Sequence, residues 1–189
     1  SPTMKTKSEQ ITNGTIHSYM FSAQAPLDEY VGSGEAGKGI KTRIRVLTSS
    51  SYPASTVLPF CTRPDSGIKT VKDMKGKIIY ADYAPSPYMA RVADAAFAAN
   101  GMTRKDCTWL KFTSSTDAYR EIKEKRADAI LFPMGTGSID MAETVGLFVV
   151  PFSPAEQKAI QDAVPSFIGF TIPKGANGAN ADTPGVASD

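Results

Sequence analysis

The chain has little of what metal and nucleophilic chemistry commonly use: its 189 residues include one histidine, two cysteines and one tryptophan. His17 stands far in sequence from the polar loops considered below, and no G-x-S-x-G elbow occurs, so a Ser-His-Asp triad has a single remote candidate base. Cys61 and Cys107 have neither C-x-x-C spacing nor a neighbouring histidine, which sets zinc aside. No metal and no cofactor is expected. Both cysteines fall on predicted strands, where buried free thiols are expected ahead of a disulfide. No apolar run reaches the ~18 residues that a membrane span needs. Ser1-Pro2-Thr3-Met4-Lys5 does not read as a signal peptide, so an exported native protein would have lost its leader or carry it outside this sequence. Charge of either sign is also not in excess. With 21 basic and 19 acidic residues, scattered to a formal +2, there is no footprint for nucleic acid or for an anionic membrane.

What is present is an alternation of strands and helices, long enough for one α/β domain or for one lobe of a two-lobed protein with pieces of the other. The clearest unit is DMKGKIIYADYAPSPYMARVADAAFAANG, residues 73–101. The Lys75-Gly76 turn leads into a β-prone run at 77–82. Ser86 is placed to cap a helix with Pro87 at its first position. Met89, Val92, Ala93, Ala96 and Phe97 then share one face, and Gly101 ends the helix. The first N–H groups, those of Tyr88, Met89 and Ala90, are expected to point into the loop and favour an anion.

Upstream, residues 1–14 resemble the exposed end of a helix or a connection from something upstream. A strand-like run at 15–23 leaves Ser22 and Gln24 at its end, and one or two helical turns are expected at 26–31. GSGEAGKG at 32–39 lacks the ending of a phosphate loop and reads as a surface loop. Strands are expected at 43–48 and 57–62, joined by a polar connection containing Tyr52, with Pro59 marking the second as an edge or hinge strand. A turn at 65–68 and a short helical piece at 70–74 precede the central unit. Downstream, strands are expected at 107–112, 127–133, 146–150 and 167–172. Helices are expected from Ser115 to about Lys125, at 139–143, and after the capping box Ser153-Pro154-Ala155-Glu156, with Ala155, Ala159, Ile160 and Ala163 on its inner face. From Lys174 onward glycine, asparagine and alanine predict an extended or disordered tail without a packed element.

Three polar loops, 83–86, 113–115 and 134–138, each follow a strand and precede a helix. In an open parallel sheet such ends converge on one crevice, the usual ligand site of α/β proteins. Ser86, Ser115 and Ser138 fit ligand contacts and equally fit plain helix caps, each worth about 1 kcal/mol. Tyr83 and Tyr88 read either as crevice residues or as core aromatics. Asp82 fits a ligand cation or a strand-end carboxylate that accepts backbone N–H groups. The loops look made to hold a ligand rather than to transform one.

Several segments resemble the TAXI solute receptors of tripartite ATP-independent periplasmic (TRAP) transporters. These are the SGIKTVKDMKGK segment at 66–77, residues 96–106, residues 122–132 and Ile172-Pro173-Lys174-Gly175. The loop Asp82-Tyr83-Ala84-Pro85-Ser86-Pro87 lacks that family's glycines, and Lys125 stands where its glycine ends a helix. Ligand identity does not carry over. The resemblance implies a periplasmic-binding-protein type II fold, α/β, with one nearly complete lobe and a partial first lobe. Residues 1–67 would be first-lobe material and hinge, 68–150 the second lobe, and 151–189 a return segment and tail, with family sequence lacking at both ends and weak or no solute binding by this form.

The function expected is a periplasmic, non-enzymatic receptor that captures a small anionic solute, a carboxylate or acidic amino acid, and passes it to TRAP membrane subunits. The site would combine Tyr83, Ser86, Tyr88, Ser115, Gly135 and Thr136 with Ser22, Gln24 and Tyr52 from the opposite side. Two alternatives are a pyrimidine-synthase-like enzyme on the same fold and the effector-sensing domain of a transcription regulator.

Overall fold

A computed structural model describes residues 9–11, 13–18 and 57–188. The expected elements at 26–31, 32–39 and 43–48, and the site residues Ser22, Gln24 and Tyr52, lie outside the described residues. Residues 15–18, expected to begin a strand, form a bend instead. Gly14 turns the chain with φ of 76°, and Asn13 Oδ1 accepts the Thr15 N–H at 3.0 Å, a local bond that competes with extended pairing.

The described strands are β1 (Phe60–Thr62), β2 (Ile78–Tyr83), β3 (Thr108–Phe112), β4 (Ala129–Leu131), β5 (Phe148–Val150), β6 (Phe167–Ile172) and β7 (Thr183–Ser188). The helices are α1 (Tyr88–Ala98), α2 (Ser115–Lys123), α3 (Thr136–Thr144) and α4 (Pro154–Ala163). A five-stranded sheet has the order β3-β2-β4-β1-β5. β2 runs parallel to β3 and β4, and β1 runs antiparallel to both β4 and β5. It follows that β2, β3, β4 and β5 all point one way, and their C-terminal ends reach the same edge of the sheet. β1 is therefore an interior strand, which overturns the edge reading that Pro59 suggested. Pro59 precedes the first paired residue, Phe60, so its missing N–H removes no bond from the ladder.

Helices cover both faces. On one, Ile79, Ala81, Leu131 and Phe60 pack under α1 and α4. The five residues assigned to the inner face of α1 are all buried, with Phe97 against Phe60 at 6.2 Å between ring centroids. Removing Phe97 from water is worth about 2–3 kcal/mol. On the other face Cys61, Ile130 and Val149 pack under α2 and α3, with Tyr119, Ile122 and Met141. α4 keeps its expected cap: Ser153 Oγ accepts the Glu156 N–H at 3.3 Å, and Glu156 Oε2 accepts the Ser153 N–H at 2.6 Å. Its inner face is set by Glu156, Ile160 and the following Val164, while Ala155 and Ala163 are exposed. Both cysteines are free thiols. Cys61 is buried on β1, and Cys107 is half-buried in the turn before β3 rather than on it.

The end of the chain differs most from expectation. Gly175, Asn177 and Gly178 have φ of 86°, 48° and 94°, and this left-handed run folds the chain back so that β7 pairs antiparallel with β6. Val186 and Ala187 are buried, and the Leu58 N–H donates to the Val186 carbonyl at 3.1 Å. The strand T-P-G-V-A-S is short of large apolar residues. Tertiary pairing rather than propensity makes it a strand.

Candidate functional site

At the sheet edge where β2, β3 and β4 end, the three loops come together. Each strand delivers an aromatic residue there: Tyr83, Phe112 and Phe132. Tyr83 lies 5.1 Å from Phe112 and 5.0 Å from Phe132 between centroids, and Phe112 and Phe132 are 5.8 Å apart. Tyr83 and Phe132 remain half-buried. Sequence reasoning singled out Tyr83 but missed its two partners, although an aromatic residue at or just past each strand end was a readable signal. The loops themselves, 83–87, 113–114 and 132–135, contain no charged residue. Whatever they hold, they would hold through backbone N–H groups, hydroxyls and ring faces. The end of β5 is not open in the same way, since the Phe152 N–H donates to Pro184 of the hairpin at 2.8 Å.

The first loop is stitched to itself. The Ser86 N–H donates to the Tyr83 carbonyl at 2.9 Å, and the Ala84 N–H donates to Phe112 at 2.9 Å. Ser86 does not cap α1. The cap position falls to Pro87, whose φ of −59° and ψ of −23° are already helical, whereas a side-chain cap needs extended backbone. Of the three N–H groups expected to face an anion, that of Met89 donates to the Ser86 carbonyl at 3.1 Å and that of Ala90 to Pro87 at 3.2 Å. The tightened first turn leaves this helix end less available than its sequence promised. The Tyr88 ring packs on Phe167 at 6.0 Å, toward the β6–β7 hairpin.

At the second loop the cap is Ser114, one residue earlier than expected. Its backbone is extended, φ −125° and ψ 116°, and its Oγ accepts the Asp117 N–H at 3.2 Å. Ser115 is thus the first helical residue, half-buried at the crevice edge. Asp117 pairs with Arg120 at 2.7 Å along the helix. At the helix's far end Lys125 does take the left-handed backbone, φ 63°, as its place opposite a family glycine implied.

The third loop is shorter than expected, because α3 begins at Thr136 and takes in Gly137 and Ser138. Gly135 is half-buried and Thr136 exposed. Ser138 is wholly buried. Its Oγ accepts the Gly135 N–H at 3.0 Å and lies 2.8 Å from the Asn177 carbonyl. Beneath it the Tyr119 hydroxyl is buried without a well-formed hydrogen bond among the described residues, toward Cys61 and Ser138. Burial holds the Tyr119 phenol well above its ordinary range and pushes the Cys61 thiol up to about 12. His17 is exposed.

The structure thus gathers Tyr83, Ser86, Ser115, Gly135 and Thr136 at one sheet edge and turns the Tyr88 ring away. A mixed α/β sheet with its loops converging in this way has the periplasmic-binding-protein type II fold. Solved structures that share it include the following two. The periplasmic aliphatic sulphonate binding protein SsuA from Escherichia coli aligns with 79% of this chain and 44% of its own, at a TM-score of 0.53 and 19% identity. The alkanesulfonate-binding protein SsuA from Xanthomonas axonopodis pv. citri, bound to MOPS, aligns with 79% of this chain and 47% of its own, at 0.51 and 17%. The chain therefore spans less than half the length of either, and both are described as binding proteins rather than enzymes. Over residues 7–189 the sequence matches the NMT1-like family, and the chain belongs to it. That match shows a coarser family than the one expected from the segments at 66–77, 96–106, 122–132 and 172–175, and does not reach the TAXI subtype.

Proposed function

We propose that this protein is an extracytoplasmic solute receptor that captures a small anionic solute and hands it to membrane subunits of a transporter, with no chemistry on the solute. The observation that carries this reading is the convergence of three uncharged loops on one sheet edge, each bearing hydroxyls or helix-end N–H groups beside the Tyr83–Phe112–Phe132 rings. An acid group would rest on the starts of α2 and α3, with Ser115 and Thr136 as donors and Gly135, whose N–H is given to Ser138 Oγ, lining the approach. An apolar part of the solute would lie on Tyr83 and Phe132, with Ser86 at the rim. The printed ligand class of the two similar structures widens the acid group from carboxylate to sulfonate.

The division into a second lobe at 68–150, with 1–67 and 151–189 belonging to a first lobe, is part of the same reading, with β1 at 60–62 threaded into the second lobe's sheet and α4 at 154–163 packed on its face. So is the approach of Ser22, Gln24 and Tyr52 from the opposite side on closure. The segments at 66–77 and 172–175 support a TRAP system as the partner. Isothermal calorimetry of a form with both proposed lobes present, against a panel of small carboxylates, acidic amino acids and alkanesulfonates, tests the proposal, residues 1–189 alone being expected to bind weakly or not at all. Binding of at least one acid, weakened by Ser115→Ala, is the expected result. No heat from any member of the panel, or turnover of a bound member, would overturn it.

A further inference from the structure

The third crevice loop is fixed by a part of the chain far from it in sequence. Ser138 Oγ has one proton and accepts from the Gly135 N–H at 3.0 Å. Its acceptors are the carbonyls of Gly135 at 2.9 Å and of Asn177 at 2.8 Å. Asn177 Nδ2 in turn donates to the Met134 carbonyl at 3.4 Å, one residue before Gly135. The loop and the turn are therefore joined twice, across 39 and 43 residues of sequence. Backbone conformation makes this possible, since the left-handed Asn177, between Gly175 and Gly178, aims its carbonyl at the start of α3.

Packing closes the arrangement from both sides. A Cβ on Gly178 would meet the Ala142 Cβ at 2.9 Å and the Ser138 carbonyl at 3.1 Å, so the turn approaches α3 as closely as a glycine permits. A Cβ on Gly137 would meet the Tyr119 ring at 2.4 Å. The first turn of α3 is held between that ring and the 176–178 turn.

We propose that Ser138 and Asn177 are positioning residues for the Gly135–Thr136 segment, and that the β6–β7 connection sets where the third crevice loop stands. The purpose of this device rests on the solute-receptor reading; its existence does not. The test is amide hydrogen exchange, resolved by residue, on the full chain and two variants. Asn177→Gly keeps the left-handed backbone and removes the donor, and Asn177→Asp keeps a residue that tolerates this conformation and also removes it. Neither touches the bond that Gly135 makes to Ser138. Expected is an increase of about tenfold in exchange at Gly135 and Thr136, the scale of one buried hydrogen bond, with amides 141–144 unchanged. Unchanged exchange at 135 and 136 in both variants, or an equal rise along all of α3, would overturn the positioning role. Calorimetry with ethanesulfonate and with glutamate, run in parallel, addresses the receptor reading separately. Binding of neither by a form with both proposed lobes counts against that reading, and exchange alone still decides the positioning role.

Discussion

The loops that open α1 and α3 follow neighbouring parallel strands, β2 and β4, yet they are held by different means. The α1 loop is closed by its own backbone, with Ser86 bonded to Tyr83 and the first helical N–H groups taken by Ser86 and Pro87. The α3 loop is held from outside, by a buried hydroxyl, by a turn of the β6–β7 connection and by the Tyr119 ring. A loop closed by its own backbone bonds uses up the donors an anion would need. The α3 loop spends the Gly135 N–H on Ser138 and is braced further by the distant turn at 176–178, with exposed Thr136 at its edge. On the proposed reading, the stretch with the strongest sequence signature is the one whose first-turn N–H groups are most fully taken up by its own backbone.

The sharpest way to break this comparison uses the thiol beneath the α3 loop. Cys61 is buried next to Tyr119, and burial keeps its thiol protonated, its pKa pushed up to about 12 from an ordinary 9.0. The thiolate is the reactive form. In the folded protein at pH 8, iodoacetamide followed by mass spectrometry should modify half-exposed Cys107 at least about a thousandfold faster than Cys61, which reacts only through opening. Comparable rates would mean that the α3 side opens readily and is not braced.

Next in size is a pair of glycine substitutions in that loop. Gly137→Ala places a methyl 2.4 Å from the Tyr119 ring, a buried ring without room to retreat, and should cost about 1–3 kcal/mol in urea unfolding. Gly135→Ala meets nothing within 4 Å and should cost under about 1 kcal/mol, the price of a poorer cap residue. Equal costs would show that α3 is not wedged against Tyr119.

How much of this was legible follows from which forces act locally. The inner face of α1 read correctly because five apolar residues at helical spacing can be buried in only one way, and the α4 cap read correctly because both of its partners lie within four residues. β7 was invisible. Its pairing with β6 depends on three consecutive turn positions around Asn177 that carry no apolar signal, and on Val57 and Leu58, over 120 residues upstream, to cover it. In the candidate site all three loops were found, since strand ends are local features, although α3 starts at Thr136 rather than at 139 and the second cap is Ser114 rather than Ser115. What each loop does with its N–H groups was not found, because that depends on whether the chain enters the helix from extended backbone, as at Ser114, or from a turn, as at Pro87. Ser138 read as either a cap or a ligand contact, and its tie to Asn177 was hidden because that partner lies 39 residues away.

The smallest effects carry the finest discrimination, and three serines supply them. Ser114 Oγ accepts an N–H from the first turn of α2, so Ser114→Ala should lose about 1 kcal/mol in urea unfolding at unchanged slope. Ser115 already has helical backbone and Ser86 stands before a helical Pro87, so neither fills the extended cap position. Ser115→Ala and Ser86→Ala should each stay within about 0.5 kcal/mol, as for partly exposed positions away from caps. The ordering matters more than the values. A loss at Ser86 as large as that at Ser114 would mean that the serine side chain, rather than the Tyr83–Ser86 backbone turn, holds the start of α1. The first-turn donors of α1 would then no longer be accounted for by the backbone bonds to Ser86 and Pro87, and the α1 end would regain its claim to the acid group.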